Sequence, residues 1–244
     1  VETSRQDLDR ARSGSPLATR DFFQEAEANL NQALTDFASL DHDTQEALRT
    51  AEFLYVHTER IEHSVDFSRS IGFSFCFAVE SETKARLRKR LQRFFGDAGT
   101  SRMIDNLLEQ NRRTLSVFYH QLLLRTLRDI SMDVTIDNIF QVFHRILEHG
   151  GKYKPDGLKA LGIVLLCFGR NYGFKKFDKD VAIDNPLGVK GLGDDREVLH
   201  FATLLTNLQH FRNPYIHPEI SEMEKLSKIR ETTLECLNIC FKLV

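Results

Sequence analysis

Apolar side chains recur at intervals of three and four residues along most of the chain, which is the spacing of amphipathic helices. Asp43 and Glu46 have the spacing of a capping box, so we expect a helix to begin at Asp43. The pattern predicts helices over residues 22–37, 43–63, 67–96, 101–129, 135–148, 157–169, 195–211 and 219–242. Because no segment shows a convincing alternation of apolar and polar residues, the sequence predicts an all-α multi-helix bundle.

The two ends of this pattern suggest how the chain is organised. Residues 1–19 are polar and contain a Ser-Gly-Ser-Pro run, so we expect a flexible segment there. Residues 20–244 then form one all-helical domain with an N-terminal helical extension. Residues 171–194 are rich in glycine and predict a loop of unusual length, a feature associated with function or disorder.

Composition adds expectations about the core and the cellular compartment. The chain has 19 phenylalanines and no tryptophan, which predicts a core packed with Phe and Leu. Its four cysteines lie in apolar surroundings without a Cys-x-x-Cys motif, as expected for buried free thiols in a reducing cytosol. No signal peptide is recognisable, and the longest apolar run, residues 161–168, is too short to span a bilayer. We therefore expect a cytoplasmic protein without membrane contact.

The formal net charge of −2 conceals an uneven distribution. Residues 1–50 carry five Lys or Arg against ten Asp or Glu, whereas residues 81–130 carry eleven against five. The second region contains a basic run made of Lys84, Arg86, Arg88, Lys89, Arg90 and Arg93. Such a run is either a solvated helix face or a track for an RNA backbone. On the second interpretation, Arg86, Arg88, Lys89 and Arg90 bind substrate.

The segment Arg212-Asn213-Pro214-Tyr215-Ile216-His217 carries the most specific chemistry in the chain. On an unbroken helix Arg212 and His217 point in different directions, but Pro214 predicts a bend that could turn both toward one concavity. A permanently charged guanidinium beside an imidazole suits chemistry on a phosphodiester. The simpler alternative is a cap and a surface cation at a helix terminus.

This segment resembles the motif of the HEPN family, small all-helical domains found in ribonuclease toxins and defence proteins. The family motif is an arginine, usually followed by a polar residue, with a histidine four to six residues along. Residues 75–84 also resemble the family's long helix, which carries an acidic residue. The resemblance covers residues 50–244.

The resemblance implies a metal-independent endoribonuclease without cofactors, in which the RNA 2′-OH attacks the adjacent phosphate. Arg212, Asn213 and His217 would be catalytic, and Tyr215 would either pack internally or contact substrate. The resemblance further implies a symmetric homodimer with both motifs in one site, and a toxin–antitoxin or antiviral context with an antitoxin or a larger defence complex as partner. The alternative is a non-catalytic HEPN-like module for dimerisation or RNA binding within a larger protein.

The last helix supplies an argument for dimerisation that is independent of the resemblance. Its apolar stripe consists of Met223, Leu226, Ile229, Thr233, Leu237 and Cys240. Ile239, Phe241 and Leu243 add apolar surface outside the stripe, which predicts that this helix forms a two-fold seam.

Two other patterns are weaker. His144 and His149 are five apart, not the four that place two metal ligands on one helix face. Residues 188–193 are glycine-rich but lack the Gly-Lys-Ser/Thr ending of a phosphate-binding loop. Neither pattern predicts a metal or nucleotide site.

Overall fold

The computed structural model describes residues 16–60, 66–109, 113–176, 179–183, 185–216 and 223–243. For residues 16–21, 59–60, 172–176, 179–183, 213–216 and 223, only the path of the backbone is described. The helices are α1 (Pro16–Ala33), α2 (His42–Arg60), α3 (Ser68–Gly96), α4 (Ala98–Leu108), α5 (Arg113–Phe118), α6 (Leu124–Asp129), α7 (Ile136–His149), α8 (Gly157–Phe168), α9 (Asp195–Ile216) and α10 (Met223–Cys240). A π-helical turn, Tyr119–Leu123, joins α5 to α6, and 3₁₀ turns occupy Phe37–Ser39 and Gly150–Lys152.

The predicted all-α class is confirmed for the described residues, with one exception. Strands β1 (Tyr172–Lys176) and β2 (Lys179–Ile183) form an antiparallel hairpin within the segment predicted as a loop. The prediction that no strand is present was wrong here. Tyr172 and Phe174 alternate with other residues in β1, but the apolar residues of β2 are consecutive, so neither five-residue strand gives a clear period-two signal.

Several helix boundaries differ from the predicted ones. The helix predicted over residues 101–129 is divided into α4 and the α5–α6 segment, and α4 begins earlier because the Asp97 side chain accepts the Thr100 amide hydrogen bond at 2.8 Å. Helix α1 begins at Pro16, inside the predicted flexible segment, because proline is favourable in the first helical turn. At α2 the cap was misassigned: the helix begins at His42, and the Asp41 carboxylate accepts the Asp43 N–H at 3.3 Å.

Helix α3 lies at the centre of the bundle and packs against α2, α9 and α10. Six of the largest fully buried side chains are phenylalanines, which confirms the predicted Phe/Leu core: Phe75, Phe95, Phe118, Phe143, Phe168 and Phe201. Helix α8 is buried along almost its whole length and packs against α9. These contacts fix α9, and therefore Arg212, relative to α3.

Much of the apolar stripe on helix α10 is buried within the protomer. Leu226, Ile229 and Leu237 are completely buried, because α10 packs against α3 and α9 of the same chain. Leu243 is also buried, and Phe241 packs beneath the Arg86 guanidinium. The described part of the apolar stripe is therefore used inside the protomer. Outside the stripe, Ile239 and Phe241 are only partly buried, and the seam along this helix stays a prediction.

All four cysteines are buried free thiols, as predicted. Burial raises the pKa of Cys167 and of Cys240 to about 12, so both stay protonated at neutral pH. Within the described ranges, no helix is both long and apolar enough to cross a membrane.

Candidate functional site

Arg212 lies near the C-terminal end of α9 and contacts the middle of α3. Its Nη1 atom is 3.6 Å from Oε2 of Glu80, and its guanidinium carbon lies 4.9 Å from the centre of the Phe73 ring. About four-fifths of each of the Arg212 and Glu80 side chains is buried. An ion pair and a cation–π contact therefore hold the guanidinium in one position.

The same guanidinium has a donor that the described residues do not satisfy. Nε of Arg212 is buried, and no acceptor in the described part of the chain lies within hydrogen-bonding distance. A buried donor without an acceptor costs about 1–3 kcal/mol. Because Nε is buried, a phosphate oxygen from outside could reach only the part of the guanidinium that stays exposed, about one fifth of the side chain.

The remaining motif residues are described only in part. The sequence predicted that this helix ends at residue 211, before Pro214. The backbone is instead helical through Ile216, so α9 continues past Pro214. Pro214 lies in the last turn of α9 and cannot donate the hydrogen bond to the carbonyl four residues back that other residues make there. The side chains of Asn213 and Tyr215, and all of His217, lie outside the described residues, so the predicted convergence of Arg212 and His217 stays a prediction.

Glu80 links Arg212 to the basic side of α3. Its Oε1 atom accepts a 2.6 Å hydrogen bond from Nζ of Lys84, while Oε2 faces Arg212. Glu80 and Lys84 are four residues apart and share one helix face. One carboxylate therefore positions two cations that lie on different helices.

Cys76, on the α3 face beside Arg212, is not a nucleophile at neutral pH. Burial raises the pKa of its thiol to about 12; Arg212 acts in the opposite direction, and Glu80 adds to the increase. The thiol contacts the Leu208 carbonyl of α9 at 3.7 Å. Its role is to pack α3 against α9 beneath the arginine.

A groove of about 660 Å³ runs beside Glu80 and Lys84, and we call it the α3 groove. Its walls come from α3, from the start of α2 and from the turn after α7. Its lining includes seven charged residues and one exposed phenylalanine: Asp41, Asp43, Glu80, Lys84, Arg88, Lys152, Lys154 and Phe77. The groove thus places the basic end of α3 next to two lysines that are more than 60 residues away in sequence.

The predicted basic run does not form one surface. Arg86 donates a 2.7 Å hydrogen bond to the buried carboxylate of Glu82, and Arg90 donates to the Gly188 carbonyl. Arg88 and Lys89 are exposed, but only Arg88 lines the groove. Two of the four predicted substrate-binding residues therefore make internal contacts that stabilise the fold.

Sequence reasoning missed the residues that surround Arg212. Glu80 was recognisable only as one acidic residue of a long helix, and Phe73 and Phe77 were not singled out. A usable signal was present, since the two phenylalanines are four residues apart and lie off the buried stripe of α3. Lys152 and Lys154 gave no signal, because only the fold places them beside α3.

Comparisons with known proteins do not identify a relative. No family model, no curated protein and no solved structure matches this chain.

Proposed function

We propose that this protein is a metal-independent endoribonuclease of the HEPN type. The Arg212 guanidinium is the observation that supports the proposal most strongly. Glu80 and Phe73 hold it in place, its charge is permanent, and about one fifth of its side chain stays exposed. These are the properties required of a group that binds a scissile phosphate and stabilises the additional charge of the transition state.

In the proposed reaction, the RNA 2′-OH attacks the neighbouring phosphorus and expels the 5′-oxygen of the next nucleotide. His217 acts as general base or acid in this proton transfer, because an imidazole can both accept and donate a proton. Asn213 orients the phosphate or His217 by hydrogen bonding, and Tyr215 contacts the substrate. The products carry a 2′,3′-cyclic phosphate and a 5′-hydroxyl.

The family resemblance extends the proposal to the assembly and its context. Two copies of the motif would meet in a symmetric homodimer in the cytoplasm, where an antitoxin or a defence complex would control the activity. Leu226, Ile229 and Leu237 of the α10 stripe pack within their own protomer, so they would not contribute to the dimer surface.

A non-catalytic HEPN-like module is the second candidate, and the same arginine supplies its support. The Arg212 contacts with Glu80 and Phe73 tie α9 to α3, which is a sufficient structural reason for this residue. The two candidates differ in what happens to RNA after it binds.

The discriminating experiment incubates the chain with unstructured single-stranded RNA in excess EDTA. We expect cleavage by the wild type, and a loss of about 100-fold or more in His217→Ala and in Arg212→Ala. Arg212→Lys should recover only part of the rate, because lysine lacks the planar fork that binds phosphate. His210→Ala and Arg196→Ala are matched controls, since both residues are exposed on α9, and both variants should cleave normally.

Circular dichroism of each variant separates loss of chemistry from loss of fold. A His217→Ala variant that cleaves at the wild-type rate would exclude His217 as the acid–base group. Binding of RNA without cleavage under any condition would favour the non-catalytic module.

A further inference from the structure

Two phenylalanines on α3 are exposed, although large apolar side chains are usually buried in a folded domain. Phe73 is 49% exposed and Phe77 is 43% exposed, whereas most other large apolar side chains in the described residues are covered. Their rings lie nearly parallel, with centres 6.4 Å apart and an angle of 15° between the planes. An exposed aromatic face offers a nucleic-acid base a flat surface for stacking.

This aromatic pair joins the Arg212 site to the α3 groove. Phe73 lies under the Arg212 guanidinium, and Phe77 lines the groove. From Phe73 to Arg88 the aligned side chains extend over about 22 Å of helix, at 1.5 Å per residue. This length accommodates several nucleotides of an extended strand.

Basic side chains outnumber acidic ones in the wall of the groove, by four to three. Glu80 is paired with Lys84 and Arg212, and the other two carboxylates, Asp41 and Asp43, lie together at the start of α2. Arg88, Lys152 and Lys154 form no ion pair with the described residues. Three such cations beside an aromatic surface are complementary to a phosphate backbone with unpaired bases.

We infer that the α3 groove binds single-stranded RNA. Bases stack on Phe77 and Phe73, the backbone contacts Arg88, Lys152 and Lys154, and the strand leads to the phosphate at Arg212. This inference rests on the proposed ribonuclease function for the identity of the polyanion. The α3 groove thus replaces the basic run along α3 as the proposed RNA path, because Arg86 and Arg90 of that run make internal contacts.

The test measures binding without cleavage, so that it does not depend on the chemistry. The probe is a fluorescent oligoribonucleotide of about twelve nucleotides, a length within the site sizes of known single-strand-binding domains. A 2′-O-methyl group on every nucleotide removes the attacking hydroxyl, and fluorescence anisotropy reports binding to the protein. A duplex of the same sequence is the competitor.

The first variants address the stacking surface. We expect Phe77→Leu to weaken binding by about fivefold or more, because it keeps the apolar bulk but removes the aromatic face. Phe77→Tyr should bind as the wild type does, because it keeps that face. The duplex should compete poorly, because its bases are already stacked.

The second variants address the interaction with the RNA backbone. Reversing Lys152 and Lys154 to Glu should weaken binding and flatten its salt dependence, by about 0.7 in the logarithmic slope for each phosphate that the protein no longer neutralises. Reversing Arg102 and Arg196 to Glu is the matched control, because both are exposed and neither lines the groove. The control should leave the slope unchanged.

The outcomes separate this inference from the proposed function. If Phe77→Leu and the Lys152/Lys154 reversal bind like the wild type while the wild type still cleaves RNA, the groove is not the RNA path and the ribonuclease proposal survives. If the 2′-O-methyl probe binds as described but unmodified RNA is never cut, the groove assignment survives and the ribonuclease proposal fails. If Phe77→Leu changes the sedimentation coefficient but not RNA binding, a second copy of the chain covers this surface and the inference is overturned.

Discussion

At the residue scale, the position of Arg212 is determined by its neighbours on α3 more than by its own helix. Glu80 forms an ion pair with the guanidinium, Phe73 makes a cation–π contact with it, and Cys76 packs beneath both residues. An arginine held in this way loses little conformational entropy when it binds a phosphate, because its side chain is already immobile. The same contacts also explain why Arg212→Ala must be checked for folding before its activity is interpreted.

The thiols offer a residue-scale prediction that does not depend on function. All four cysteines are buried, and burial raises the pKa of Cys76, Cys167 and Cys240 to about 12. We therefore expect none of them to react with a disulfide reagent at pH 8 in the native protein, and all of them to react in denaturant. Rapid reaction of one thiol under native conditions would show that the packing around it opens readily.

At the element scale, a buried ion pair connects α2 to α10. Both carboxylate oxygens of Glu52, which is buried, accept hydrogen bonds of 2.7 Å from Arg230, and Asn29 of α1 donates to the same carboxylate at 3.2 Å. Removing one member of such a pair leaves the other charge uncompensated. The pair therefore aligns three helices, including α1, which lies outside the family resemblance.

We expect Glu52→Gln to lower the free energy of unfolding by about 3 kcal/mol. Glu46→Gln is the control, because Glu46 pairs with Arg49 at the surface and such pairs contribute less than about 1 kcal/mol. Urea denaturation followed by circular dichroism measures both. Equal effects of the two substitutions would mean that the buried pair contributes no more than an exposed one.

Gly162 sets how closely α8 approaches α9. A Cβ atom at this position would lie 2.7 Å from Oγ1 of Thr206 and 2.9 Å from the Ala202 carbonyl oxygen. We expect Gly162→Ala to destabilise the protein by about 1–3 kcal/mol, because the helices would have to separate. At Gly96 the nearest atom would be 3.7 Å away, so Gly96→Ala should be tolerated in the same denaturation experiment.

The elements also show what can be predicted from a single sequence. Helical periodicity located most helices and the buried α8 correctly, because burial of one face leaves a regular apolar spacing. It failed at the β1–β2 hairpin, where each strand is too short for a clear period. At α10 it could not show which apolar residues are covered, since α3 and α9 are adjacent to this helix only in the folded chain. Leu243 is buried there, whereas Ile239 and Phe241 are only partly buried.

At the scale of the whole molecule, the candidate site could be predicted only as a motif. The Arg212 segment stands out in the sequence, but its partners Glu80 and Phe73 are more than 130 residues away. The groove was not predictable for the same reason, since Lys152 and Lys154 reach α3 through the packing of the intervening helices. The basic run was misleading because its residues point in several directions around one helix.

In the proposed reaction the RNA itself supplies the nucleophile, and the chemistry of the cleaved ends records whether it does. Single-stranded RNA is digested in excess EDTA, and the product termini are identified by mass spectrometry. We expect 2′,3′-cyclic phosphate and 5′-hydroxyl ends, with no cleavage of the 2′-O-methyl form. Ends with a 5′-phosphate and a 3′-hydroxyl, formed only when a divalent cation is added, would contradict the proposed reaction.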